Sequence, residues 1–253
     1  MLGCVNEVGC EVRRAQEWTL IENSEVTSTN LVAAKLPVWH AVRADTQTAG
    51  RGRFQRAWVS DAGGLWLSAV VPVETNSPAW RMLPLAAGVA VCDALRANGA
   101  KQLRLRWPND ILVGDRKLAG LLIDQFQPGL AVVGVGINVC NQPEARDGRL
   151  KGHVARLADL VSAVPSLHEL ARHVLVALHA VWQEVRNAGG ETLLPRVNAL
   201  WHLPRAVRLD LDGAQVTGAF AGVDACGRLQ LQRPDGKIKF YEPQDVRLLR
   251  DLD

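Results

Sequence analysis

Ala44-Asp45-Thr46-Gln47-Thr48-Ala49-Gly50-Arg51-Gly52-Arg53-Phe54-Gln55-Arg56-Ala57-Trp58-Val59 joins two runs that read as strands, His40–Ala44 before it and Leu65–Val71 after it. Within it, Gly50-Arg51-Gly52-Arg53 alternates bare backbone with guanidinium groups, Arg56 adds a further positive charge, and Trp58 an aromatic face. Glycine lets the backbone approach a ligand closely, and arginine offers a planar fork of donors matched to carboxylates and phosphates. The segment reads as a mobile loop between two strands of a rigid sheet, suited to wrapping a small anion. Arg-Gly-Arg also suits a solvated turn or an RNA-binding tract, so this stretch alone leaves the function open.

The 253 residues suffice for a sizeable core and one to two domains, and 48% hydrophobic with 22% charged residues is ordinary for a soluble globular chain. A net charge of +3, from 29 basic and 26 acidic residues, is too balanced to argue for nucleic acid. No apolar run approaches the roughly 20 residues that cross a bilayer, and Met1–Trp18 lacks the apolar core of a secretory signal. The five cysteines are scattered and form no C-x-x-C pair, which argues against a zinc site or a disulfide framework and fits a reducing cytoplasm.

Residues 1–17 show no clear pattern and read as a tail, too short for a helix-turn-helix domain. Trp18–Ile21 suits a first strand, and Ser28-Thr29-Asn30 suits either a plain helix cap or a set of donors for a polar ligand. Ser77-Pro78 opens a largely buried helix running to about Asn98. Leu103–Trp107 alternates as a strand, Pro108-Asn109-Asp110 turns, and Ile111–Asp124 reads as a hairpin with a polar tip at Gly114-Asp115-Arg116. Leu130–Gly136 is a further apolar strand, read as an exposed edge able to pair two subunits. Ser166-Leu167-His168-Glu169 is a capping box that starts a helix to about Asn187. A second helix covers about Thr192–Trp201, and His202-Leu203-Pro204 looks like a linker. From Ala206 about five short strands separated by turns suggest a small SH3-like barrel. The division expected is residues 1–17, 18–204 and 205–253.

Three more segments carry chemistry. Arg106-Trp107-Pro108-Asn109-Asp110 places Asn109 and Asp110 at a strand end, where Asp110 suits a divalent ion, a ribose hydroxyl or a plain Asx-turn. Arg116-Lys117-Leu118-Ala119-Gly120 delivers Lys117 as the chain re-enters an apolar strand, while Gly120 in mid-strand hints at close ligand approach. Gly134-Val135-Gly136-Ile137-Asn138 lacks the third glycine of a dinucleotide fingerprint, and no helix clearly follows it.

Taken in order with Ser28-Thr29-Asn30 and Gln47–Arg53, these segments make the chain resemble a biotin protein ligase over about Trp18–Arg250, in the form lacking an N-terminal DNA-binding domain. The resemblance implies an α+β fold with a mixed sheet and helices on one side, like a class II synthetase core, plus the small C-terminal SH3-like barrel. It implies that biotin and ATP, with Mg²⁺, give biotinyl-5′-adenylate and pyrophosphate. The adenylate then acylates one lysine of a biotin carboxyl carrier protein. It assigns Lys117, Arg51 and Arg53 as the catalytic cations. Biotin falls to Ser28, Thr29, Asn30, Gln47, Gly50, Arg51, Gly52, Arg53, Lys117, Gly120 and Leu122. ATP falls to Arg53, Arg56, Trp58, Asn109, Asp110, Lys117 and Asn138, with Asp110 as the metal ligand. A cytoplasmic monomer or homodimer, without nucleic-acid or membrane partners, is expected. Two departures stand out: Arg106 where the family has lysine, and Arg156 where it often has a small hydroxyl residue. A lipoate or octanoate ligase of the same fold, a nucleic-acid binder using Arg51, Arg53 and Arg56, and a biotin binder without catalysis are the rival readings.

Overall fold

In a computed structural model the described residues are 11–15, 18–74, 77–201 and 205–252. The described residues build two sheets. The larger has eight strands: β1 Glu11–Ala15, β2 Trp18–Val26, β3 His40–Gln47, β4 Leu65–Pro72, β5 Leu103–Arg106, β6 Asp110–Val113, β7 Arg116–Gln127 and β8 Leu130–Ile137. Their spatial order is β1-β2-β3-β4-β8-β7-β6-β5. Only β2 and β3 run parallel, so the sheet is mixed.

Two long helices cover one face: α2 Pro78–Ala97 and, after the short α3 Pro143–Arg146, α4 Leu167–Ala188. Ser77 caps α2 by accepting from the Ala79 amide at 3.2 Å, and the capping box of Ser166 and Glu169 is fully formed at α4. Against these helices lie Leu65, Leu67, Ala69, Val133, Val135 and Ile137, all buried. Among the described helices, the opposite face carries the short α1 Thr29–Ala33, packed on Val42, Val70 and Val132. That face holds the cavity described below.

The helix α5 Leu194–Trp201 leads to a second, antiparallel sheet: β9 Arg205–Asp210, β10 Gln215–Val223, β11 Leu229–Gln232, β12 Ile238–Tyr241 and β13 Leu248–Asp251, in the order β12-β11-β10-β9-β13. These are the five short strands expected of the SH3-like module. Trp201 stacks on Phe220 at 3.8 Å between ring centroids, and the Trp107 indole donates to Gly227 O at 2.9 Å. Arg104, buried in β5, pairs at 2.9 Å with Asp251 of β13, whose side chain is 8% exposed. Removing one partner of a buried ion pair leaves the other charge uncompensated. Asp251→Ala should therefore lower unfolding free energy by about 3 kcal/mol in urea titrations, the low end because Arg104 keeps Gly114 O and Asp115.

Two expectations are corrected. Leu130–Ile137 is not an edge: β8 lies between β4 and β7 and is paired along both sides, so it cannot join two subunits. Its apolar run reflects burial on both faces of the sheet, and its lateral partners follow from the topology. Residues 11–15, read as patternless tail, form β1 against β2. The remainder of residues 1–17 and the linker His202–Pro204 lie outside the described residues. Among the described residues no helix is long and apolar enough to cross a membrane.

Candidate functional site

A cavity of about 280 Å³ opens on the α1 face of the large sheet. Its floor uses strand glycines. Gly134 and Gly136 of β8 and Gly120 of β7 line it, beside Leu122. Glycine there has a steric reason. A Cβ on Gly136 would fall 2.7 Å from Trp58 Nε1, and one on Gly120 would fall 3.0 Å from Trp58 Cζ3 and Lys117 Cε. A Cβ on Gly134 would fall 2.3 Å from Asn30 Oδ1. The indole of Trp58 thus lies flat on bare backbone, with Lys117 Nζ 4.9 Å from its ring centroid.

A β-bulge aims Lys117. Ile111 pairs with Ala119 but Leu112 with Lys117, so Leu118 is the extra residue. Leu118 and Ala119 both point into the core, which returns Lys117 to the face of Gly120 and Leu122. The Lys117 backbone is fixed by His153 O, the Ala155 amide and the Asn138 side chain.

At the narrow end, Lys117 Nζ is 2.6 Å from Asp110 Oδ1 and Arg106 donates to Asp110 Oδ2 at 2.9 Å. Burial works to raise the Asp110 pKa, but Lys117 and Arg106 outweigh it and hold the carboxyl below its ordinary value. Asp110 is therefore anionic at neutral pH. Arg51, Arg53, Arg56 and Arg247 bring the cations lining the cavity to six, against this one carboxylate. Burial lowers the Arg53 pKa, with Asp110 opposing and Arg56 assisting. The cavity is built for an anion.

The other end is neutral and polar. Thr29 donates to Gln47 Oε1 through its amide at 2.8 Å and its hydroxyl at 3.0 Å. Gln47 Nε2 donates to Ser60, and Asn30 Nδ2 to Asp124. The buried hydroxyl of Ser68 donates to Asn30 Oδ1 at 2.6 Å and sits 2.7 Å from Thr29 Oγ1. Ser28 makes no capping bond, so its hydroxyl is not a plain helix cap. Ser68→Ala would leave buried acceptors short of a partner at a cost of about 1–3 kcal/mol, measurable as lower urea stability and weaker binding of whatever polar head docks here.

Most of the expected residues converge here: Ser28, Thr29, Asn30, Gln47, Arg51, Gly52, Arg53, Arg56, Trp58, Asn109, Asp110, Lys117, Gly120 and Leu122 line one cavity. Gly50 stands behind it, where a Cβ would meet Ser60 Oγ at 2.4 Å and Trp58 O at 2.5 Å. Asn138 opens instead onto an adjoining hollow with Val59, His153, Val154 and Leu150, and Trp58 and Lys117 border both spaces. Asn109 grips the β7 backbone, its side chain donating to Leu121 O at 2.5 Å. Arg156 pairs with Asp159 and Glu144 and lines neither space. Phe54, Arg247, Leu248 and Leu249 line the cavity and went unread in the sequence, as did the buried Ser68 that supports Thr29 and Asn30. Only Ser68 carried a signal, as the lone polar residue of an apolar strand.

The donor set does not fit a resident divalent ion. Asp110 is the cavity's carboxylate and both its oxygens already carry cations, and no group of three or more His, Cys, Asp or Glu side chains suited to a metal occurs among the described residues.

A family model described as the Biotin/lipoate A/B protein ligase family matches residues 21–139, and the Biotin protein ligase C terminal domain matches residues 202–242. The biotin--[acetyl-CoA-carboxylase] ligase of Mycobacterium tuberculosis is 37% identical over 217 residues, covering 82% of this chain and 78% of its own. That of Paracoccus denitrificans is 33% identical over 230 residues, covering 83% and 92%. The structure of the Aquifex aeolicus biotin protein ligase in complex with biotin and ATP superposes with a TM-score of 0.80 at 27% identity, over 92% of this chain and 98% of that one.

Proposed function

Since this chain belongs to the biotin/lipoate A/B protein ligase family, we propose that its cavity activates biotin with ATP as biotinyl-5′-adenylate and passes the biotinyl group to a lysine of a carrier domain. Biotin protein ligase activity is the function of its named relatives. The observation that carries the reading is the cavity's polarity: a neutral hydrogen-bonding end at Thr29 and Gln47, an apolar stretch of Leu122 and the Trp58 indole laid on Gly120 and Gly136, and a cationic end at Lys117.

Biotin matches that sequence of surfaces. Its ureido ring meets Ser28, Thr29, Asn30 and Gln47, its ring and chain lie along Gly120, Leu122 and Trp58, and its carboxylate reaches Lys117. ATP spans the cationic end, with its base toward the hollow of Val59, Asn138 and His153. In the first step a carboxylate oxygen attacks the α-phosphorus and pyrophosphate leaves. Two anions must approach, so Lys117, Arg53 and Arg51 offset the repulsion and the charge that develops in the transition state. Arg106 keeps the charge that lysine supplies in relatives and holds Asp110 with it. Mg²⁺ arrives with the ATP phosphates as part of that substrate. In the second step the carrier's lysine amine attacks the acyl carbon and AMP leaves, with no enzyme nucleophile required. The adenylate is a mixed anhydride, so water must be kept from it between the steps.

Incubation with biotin, MgATP and a biotin carboxyl carrier domain should label that domain on one lysine, read by mass spectrometry. A Lys→Arg change at the acceptor should abolish labelling. Labelling of a lipoyl domain with lipoate, and none with biotin, would overturn the reading.

A further inference from the structure

We infer that Arg247, in the C-terminal module, is a positioning residue that clasps the loop Arg51–Arg56 over the cavity, so that the module closes the active site. The inference rests on the reading above for what the loop encloses, and the clasp itself rests on contacts.

The loop is folded rather than extended. Arg51 bridges to Ala57, and the Gly52 amide donates to Arg56 O at 2.8 Å. At its tip Phe54 and Gln55 hold φ of 55° and 58°, a left-handed conformation that non-glycine residues rarely adopt. Such backbone persists only where the surroundings over-determine it. Those surroundings are the segment Pro243–Arg247. The Arg247 guanidinium lies 4.6 Å from the Phe54 ring centroid, and Arg53 lies 4.8 Å from the same ring. Arg53 also donates to Pro243 O and Val246 O, and Arg56 to Arg247 O at 3.3 Å. Arg247 is held from behind: its amide donates to Asp210 O at 2.8 Å and its guanidinium to Asp212 at 2.9 Å. Immediately after it, Leu248 and Leu249 line the cavity.

The Arg247 side chain is 44% exposed, and what it touches is Phe54 of the loop and Asp212 behind it. Its contacts point to the loop. The physical consequence concerns water. Loosening the loop admits water to the acyl adenylate, and hydrolysis then returns biotin and AMP.

Two readouts test this on the full chain. First, trypsin cleavage after Arg51, Arg53 and Arg56 without ligands, which does not depend on activity. Arg247→Ala should raise that cleavage rate about two- to fivefold, the range of an exposed cation–π contact, and Arg247→Lys should fall between. Second, AMP formed from biotin and ATP without a carrier. Arg247→Ala should raise this leak relative to adenylate formation by a similar factor. In a Phe54→Leu background the same change should add little to either readout. Equal cleavage and equal leak in Arg247→Ala and the parent would overturn the clasp. No biotin-dependent AMP from any variant would instead count against the proposed activity, while the trypsin comparison would still decide the clasp.

Discussion

Lys117→Ala should lower the rate of adenylate formation by about two to three orders of magnitude, the effect of deleting one preorganised donor at a developing negative charge. The ammonium is the cation nearest both the glycine floor and Asp110, 2.6 Å from that carboxylate. Its backbone is fixed independently of its side chain, through His153, Ala155 and Asn138. The alanine variant should therefore fold. The loss should appear in kcat for pyrophosphate release, with a smaller change in biotin binding, because Thr29, Gln47 and the glycine slot are untouched. Lys117→Arg should recover part of the rate at most, since a guanidinium fork replaces a point charge in a slot shaped around Trp58. A full rate of pyrophosphate release from Lys117→Ala would remove Lys117 from the chemistry.

Gly136→Val should be the second severe change, and a selective one. Valine suits a strand better than glycine does, which offsets part of the cost of displacing the indole, so the chain should still fold. Its Cβ, however, falls 2.7 Å from Trp58 Nε1 and 2.8 Å from Cε2, so the indole must leave the floor. Lys117 packs on that indole, and misplacing a reacting group by about 1 Å costs about a hundredfold in rate. We expect biotin affinity and adenylation to fall together by about that factor, read by titration calorimetry and pyrophosphate release. Gly114→Ala is a useful comparison because a Cβ there meets nothing within 4 Å. It carries only the local strain of a positive φ of 58°.

What the sequence shows and what it hides divide along physical lines. Local chemistry is readable. Ser77-Pro78 and the Ser166–Glu169 capping box start α2 and α4 where they are expected, because caps act within one turn. Gly120 reads as a point of close ligand approach, whereas the atoms that come close to it are those of Trp58 and Lys117. The loop of Arg51, Arg53 and Arg56 reads as an anion wall and faces the cavity. What depends on pairing across the chain is not readable. The apolar run of β8 looks the same at an edge as in the centre, and only its partners β4 and β7 place it. The bulge at Leu118, which turns Lys117 into the site, exists only in register with Ile111 and Leu112. Arg247 lies nearly two hundred positions from Phe54, and its part in the site follows from how the second sheet packs on the first.

The most direct measurement is ATP–pyrophosphate exchange by the purified protein with MgATP, comparing biotin, lipoate, octanoate and no acid. The cavity's neutral hydrogen-bonding end, on the proposed reading the seat of biotin's ureido ring, predicts exchange with biotin and none with the other acids. Exchange with lipoate or octanoate and silence with biotin would contradict the account and assign the same cationic site to the other acyl substrate of the family.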